Sequence, residues 1–206
     1  RNSFNVPEGK IVSAQQLGEA AIAVGYPVAL KMISPRLTHK TEAGAVVLNL
    51  KDENSLNIAA AKMKSDVTAY DARAVSESFL VEAMSPNPLL ELIINFRQDP
   101  QFGAALVLGS GGVLVELLAD SATLLLPTRP VEIIRVLKSL RVGRLLEGFR
   151  GRPAADIEQV ATEIYKLSVT YQKNMKTIAE IEINPLFVYQ AEVSAIDVLI
   201  QVPNEK

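Results

Sequence analysis

Apolar residues recur every three or four positions over residues 17–24 and again over 56–67, and elsewhere they gather into short runs. Ser13 and Gln16 form a capping box ahead of Leu17, Ala20, Ala21 and Val24, and Gly25 follows, so a short helix is expected there. "YPVALKMI" reads as an apolar strand carrying one charge, Lys31, and "GAVVLNL" as a second strand. Leu56, Ala59, Ala60, Met63 and Val67 trace one face of a helix capped near Asp52 or Ser55. Further strands are expected in "SFLVEAM", "ELIINFR", "AALVLG" and "VLVELL", which Pro, Asn, Asp and Gly separate. Two helices follow, one around "PVEIIRVLKSL" and one with Ile157, Val160, Ala161, Ile164, Leu167 and Tyr171 on a single face. The chain closes with strands "IAEIEI" and "SAIDVLI", joined through "NPLFVYQAEV". This pattern predicts an α+β protein of two lobes, each a mainly antiparallel sheet with helices. The boundary falls between residues 72 and 80, giving lobes 1–76 and 77–206.

Composition narrows the class without naming a function. A chain of 206 residues with 49% hydrophobic and 5% aromatic content is long enough for one large domain or two lobes. No apolar run reaches the roughly 18 residues of a membrane span and no signal peptide is recognisable, so no membrane association is expected. The opening Arg1 and "FNVPEGK" read like the interior of a longer polypeptide. The absence of cysteine excludes disulfides and thiolate metal sites, and agrees with a reducing, cytoplasmic location. A net charge of -2 with both signs interspersed leaves no nucleic-acid footprint. The locally basic "KLSVTYQKNMK" and "RVGRLLEGFRGR" read as a solvated helix face and a loop.

Three clusters carry candidate chemistry. Lys31 stands mid-strand among apolar residues, where an ammonium needs an anionic partner such as a phosphate. The only histidine, His39, follows soon after and opens the turn His39-Lys40-Thr41-Glu42-Ala43-Gly44, a type of segment that can aim backbone N–H groups at an anion. In "DPQFGAALVLGSGGVLVELLAD", Gly109, Gly111 and Gly112 suit either a sharp hairpin turn or the close approach of a bound group, with Glu116 and Asp120 nearby. In "EIEINPLFVYQAEVSAID", Glu180, Glu182 and Asn184 share one strand face, and Asp197 on the next strand can lie opposite Asn184. An amide oxygen with a carboxylate suits Mg²⁺, which takes few protein ligands. A plain solvent-exposed polar face would account for the same alternation.

Together these clusters outline a nucleotide site. In this order, "GYPVALKMISPRLTHKTEAGAV", "DPQFGAALVLGSGGVLVELLAD", "LLEGFRG" and "EIEINPLFV…AIDVLI" resemble the ATP-grasp domain of ADP-forming acyl-CoA synthetases (acetate–CoA ligases), kin of the succinyl-CoA synthetase β subunit. The resemblance runs from residue 5 to 200. It implies ATP or ADP held between two lobes, with Lys31 reaching the phosphates and Lys40 to Val46, including Gly44, covering them. "FLVEAM" matches the adenine linker, with Glu82 and Met84 near the base. Glu91, Gly111 and Gly112 complete the nucleotide-binding set. Asn184 and Asp197 match the magnesium ligands, Glu182 a carboxylate that steadies a phosphohistidine, and His39 the histidine that relays phosphoryl to ADP.

The implied reaction is acyl-CoA + ADP + phosphate ⇌ carboxylic acid + CoA + ATP. It requires a CoA-binding part or α subunit carrying a second phosphohistidine, within a hetero- or homo-oligomer, and the chain is expected to be inactive without it. The alternative is the ligand-sensing, non-catalytic synthetase-like domain of bacterial protein lysine acetyltransferases. That branch tends to lose the metal motif, whereas Glu116, Glu182, Asn184 and Asp197 are all present here. A stand-alone carboxylate–amine ligase lacks an evident substrate domain. Three departures from the family pattern bear on turnover. Ala45 replaces the second glycine of Gly-Gly-Val, where its methyl could crowd the phosphate, and Pro88 and Asn95 stand where glycines are usual.

Overall fold

The computed structural model describes residues 4–37, 39–112 and 119–203. The strand expected at "VLVELL", with Glu116 in it, lies outside the described residues. The chain divides into two compact units, one of residues 7–86 and one of residues 1–6 with 87–206. No helix among the described residues is long and apolar enough to cross a membrane.

In the first unit, strands β1 (Gly9–Ser13), β2 (Val28–Met32), β3 (Val46–Leu50) and β4 (Ser78–Ala83) form an antiparallel sheet in the order β1-β4-β2-β3. A 3₁₀ turn, Ala14–Gln16, carries the Ser13–Gln16 capping box, and helix α1 (Leu17–Val24) continues it until Gly25, whose φ of +93° ends the helix. Helix α2 (Glu53–Tyr70) starts at Asp52, which accepts the Ser55 N–H at 2.7 Å. The periodic positions of both helices bury against Val28, Leu30, Met32, Phe79 and Val81, forming one core cluster. Because strand side chains alternate, Lys31 and Glu82 fall on the opposite face of the sheet from this cluster. Central strand β4 pairs with both β1 and β2, so the unit extends to Pro86 and not to the expected boundary at 76/77, which would detach β4.

In the second unit, strands β5 (Leu90–Asp99), β6 (Gly103–Ser110), β7 (Ser121–Leu125), β8 (Glu180–Val188), β9 (Val193–Ala195) and β10 (Val198–Gln201) form an antiparallel sheet. Its order is β10-β8-β5-β6-β7, and β9 also pairs with β8. Leu90, Leu92, Ile94 and Phe96 of β5 face a core completed by helices α3 (Pro130–Ser139) and α5 (Ile157–Asn174), with the short helix α4 (Gly143–Leu146) between them. Tyr171 of α5 packs on Phe96 at 5.6 Å between ring centroids and donates its hydroxyl to the Ala179 carbonyl at 2.9 Å. The start of the chain belongs to this unit: Asn5 forms a parallel bridge to Ser194, and its carbonyl accepts the Ala195 N–H at 2.9 Å.

Strand β8 extends through Val188, beyond the Ile183 end expected from sequence. Its buried positions are Ile181 and Ile183, then Leu186 and Val188, so the alternation changes phase at Asn184-Pro185. The pairing register with β5 shifts there as well, between Leu92 and Ile94. One extra residue restores the core face after the irregularity, as a β-bulge does. Proline has no N–H to give a ladder and is at home in a bulge.

Candidate functional site

Lys31 and Glu82 are brought together in the first unit. Lys31 pairs with Leu80, and Ala29 with Glu82, so Lys31 and Glu82 are diagonal neighbours on one sheet face. Their Nζ and Oε2 atoms lie 2.5 Å apart, with both side chains about nine-tenths buried. A phosphate is the partner expected beside Lys31; the residue beside it is Glu82, a carboxylate expected near the adenine base. Gly9 on β1 also faces Glu82, and a Cβ there would stand 2.8 Å from the Glu82 Cγ. Met84 lies past the end of β4, where its N–H donates to the Pro27 carbonyl at 3.3 Å.

The turn expected to cover phosphate is closed by its own backbone. Ala43, Gly44 and Ala45 donate to the carbonyls of His39, Thr41 and Lys40 at 3.2, 3.1 and 2.8 Å. Gly44 has φ +67°, and a Cβ on it would meet the Asp66 Cβ at 2.8 Å, so glycine is required for both conformation and space. Ala45 is completely buried and belongs to the core cluster. Its methyl therefore fills core volume, and the expected crowding of a phosphate does not arise from it. The His39 side chain is 68% exposed, with Nδ1 3.9 Å from Glu42 Oε1. Lys40 lies beside it, half-buried.

The bulge organises the second cluster. The Asn184 N–H donates to the Asp197 carbonyl at 3.0 Å, and the Ile196 N–H to the Pro185 carbonyl at 3.1 Å, in the gap between β9 and β10. Asn184 Oδ1 accepts the Gly112 N–H at 3.0 Å. Gly112 has φ +64°, and a Cβ on it would fall 1.8 Å from Glu91 Oε2. Gly111 donates to the Glu91 carbonyl at 2.8 Å, and a Cβ there would lie 2.4 Å from the carbonyl carbon and oxygen of Leu92. The two glycines thus lie directly against β5 and tie the Asn184 amide to Glu91. An amide oxygen retains a second lone pair after one hydrogen bond. With the carboxylate of Asp197, in the gap between β9 and β10, the donor set fits Mg²⁺. Among the described residues no cluster of three or more His, Asp or Glu could hold a metal by itself.

Next to this pair, Asn95 of β5 lies opposite Glu182. Its Nδ2 donates to Glu180 Oε1 at 2.5 Å and to Glu182 Oε2 at 3.1 Å. Asn95 is buried and its Oδ1 has no hydrogen-bond partner. In the sequence Asn95 stands out only as a position where glycine is usual; its link to both glutamates depends on cross-strand register. Asp120, grouped with Glu116 as candidate chemistry, is structural. It accepts the N–H groups of Arg141 and Val142 at 3.0 and 3.1 Å and the Ser110 hydroxyl at 3.1 Å. Burial is the largest single influence on this carboxyl and raises its pKa, but these donors together hold it below the ordinary carboxylate value.

A family model described as an ATP-grasp domain matches residues 3–202. The β subunit of acetate–CoA ligase (ADP-forming) II from Pyrococcus furiosus is 34% identical over 188 residues, covering 90% of this chain and 78% of that subunit. Acetate–CoA ligase (ADP-forming) I of Archaeoglobus fulgidus is 32% identical over 194 residues, which is 93% of this chain but 27% of that longer protein. Dinucleotide forming acetyl-coenzyme A synthetase 1 of Ca. Korarchaeum cryptofilum, in complex with coenzyme A, Ca-AMPCP and HgCl⁺, matches with a TM-score of 0.88 at 30% identity. That match covers 97% of this chain and 87% of that one. The same protein with coenzyme A and Mg-AMPPCP, its phosphohistidine segment pointing towards the nucleotide binding site, matches at TM-score 0.78 and 27% identity over 98% of this chain and 87% of that one. With the sequence motifs, the two antiparallel sheets and the relatives all in agreement, the chain belongs to the ATP-grasp domain family, in the form that matches β subunits of ADP-forming acetate–CoA ligases.

Proposed function

We propose that this chain is the nucleotide-binding part of an ADP-forming acyl-CoA synthetase and relays phosphoryl to ADP through His39. The observation that carries the reading is the bulge at Asn184-Pro185, which sets Asn184 against Asp197 while Gly112 fixes the amide oxygen. A metal held by Asn184 and Asp197 would offset negative charge on the nucleotide phosphates, and the Mg-AMPPCP bound to the Korarchaeum protein supports a magnesium nucleotide as the ligand. Lys31 supplies a positive charge suited to a phosphate.

The exposure of His39 suits a carrier that must meet a group from elsewhere. In the proposed relay an imidazole nitrogen of His39 attacks the phosphorus of a phosphohistidine on the CoA-binding part. One P–N bond breaks as another forms. A β-phosphate oxygen of ADP then attacks, the second P–N bond breaks, and ATP and free imidazole result. Glu182, held by Asn95, steadies the phosphohistidine. Turnover requires the CoA-binding, phosphohistidine-bearing partner.

Calorimetric titration of ATP and ADP into the chain, with and without Mg²⁺, tests the nucleotide assignment. Micromolar, magnesium-dependent binding is expected, and Asn184→Ala with Asp197→Ala should erase the magnesium dependence. A folded chain that binds neither nucleotide would favour a non-catalytic domain. With a CoA-binding partner present, His39→Ala should abolish acyl-CoA-dependent ATP formation while ADP binding persists; retained turnover would remove His39 from the relay.

A further inference from the structure

Every position of β2 is buried, yet it carries a lysine, and the carboxylate that answers it comes from β4. Two ions taken out of water together are tolerable only with close, fixed geometry, and this pair has it at 2.5 Å. Room for that geometry is made on a third strand. Gly9 of β1 stands opposite Glu82, where a Cβ would approach the Glu82 Cγ at 2.8 Å and the Val81 carbonyl oxygen at 3.1 Å. The Glu82 backbone sits between Gly9 on one side and Ala29 on the other, inside the ladder. Its carboxylate is turned to Lys31 within the same sheet face.

We propose that Glu82 is a positioning residue for Lys31: it holds the ammonium in place and aimed, and so acts on the phosphate end of a nucleotide and not on its base. This rests on the nucleotide-binding reading, and differs from the role near adenine that family resemblance suggests for Glu82. An ammonium buried without its counter-ion swings toward water, and that movement weakens its grip on phosphate. The base plays no part in that loss. Gly9 belongs to the same device, because a side chain there displaces the stem of Glu82 without altering either charge.

The test is calorimetric titration of Mg-ATP, Mg-GTP and inorganic tripolyphosphate into the native chain, Glu82→Gln and Gly9→Ala. Glu82→Gln should weaken all three by a common factor of about ten, with the ATP-to-GTP ratio unchanged, and Gly9→Ala should do the same to a smaller extent. A loss confined to ATP would overturn the proposal and make Glu82 a base reader; unchanged binding of all three would overturn it too. Thermal unfolding of Lys31→Met, Glu82→Met and the double variant tests the pair without nucleotide. Each single variant should melt about 10 °C lower, and the double variant should recover most of that loss, since a severed buried pair costs far more than a swapped one. Additive losses would overturn the pairing. If the pair is coupled but the native chain binds no probe, the nucleotide reading fails and not the pairing itself.

Discussion

Gly111 and Gly112 are adjacent, yet adding one methyl to each should have separable consequences. At Gly112 the φ of +64° places an L-residue in the left-handed region, at a cost of about 1–2 kcal/mol. The new Cβ would lie 1.8 Å from Glu91 Oε2, the far end of a side chain that can rotate away. Weakening the Gly112 hydrogen bond to Asn184 Oδ1 adds about 1 kcal/mol at most. Gly112→Ala should therefore cost about 2 kcal/mol, or about 4–8 °C in Tm. At Gly111 the Cβ would meet the Leu92 backbone at 2.4 Å, and a backbone in mid-sheet cannot rotate away. Overpacking, together with strain on the Gly111 N–H bond to the Glu91 carbonyl, should cost about 4 kcal/mol. Differential scanning calorimetry reads the stabilities and nucleotide titration reads the metal dependence. Gly112→Ala should fold, yet lose roughly tenfold in magnesium-dependent ADP affinity through the released Asn184. Equal melting losses at the two positions, or undiminished magnesium dependence in folded Gly112→Ala, would refute the reasoning.

Two further outcomes follow from polar groups in the second unit. Because the donors around Asp120 lower its folded pKa below the unfolded value, its stabilisation is full above pH ~4 and is lost as pH falls through the folded value. Asp120→Asn should thus lower Tm at pH 7, with the gap to the native chain closing in acid; a gap constant with pH would contradict this. Asn95→Gly should change stability by within about 1 kcal/mol, since it loses two bonds to carboxylates but also removes the unpaired Oδ1. Asn95→Asp, which adds a third carboxylate, should cost about 3 kcal/mol or more by chemical denaturation, and equal effects of the two changes would rule out the bridging role.

Elements with one strongly apolar face were legible from sequence, because their periodicity is what the core selects: every residue expected on the α2 face is buried. Strands β1 and β7 carry no such signal, since each is a sheet edge with largely exposed side chains. The phase change from Ile181 and Ile183 to Leu186 and Val188 is visible in the sequence, but "NPLFV" reads as a connection unless proline is allowed a bulge. Lys31 was identified from its apolar neighbours, whereas its partner depends on the register of β2 with β4, which periodicity does not determine. Asp120 looked like chemistry because it follows glycines; its backbone donors come from Arg141 and Val142, and local spacing cannot show that.

The bridge from Asn5 to Ser194 makes the first unit an insertion within the second. During synthesis the four strands and two helices of residues 7–86 are all available to pair as soon as Pro86 has emerged. The other unit cannot complete its sheet until β9 and β10 have been made, and Asn5 has no partner strand there until then. Closing so long a loop adds little entropy per additional residue, so the delay is one of timing more than of stability. A construction that begins at Asn87 would keep all six strands of that sheet and still lack the strap that Asn5 lays beside β9.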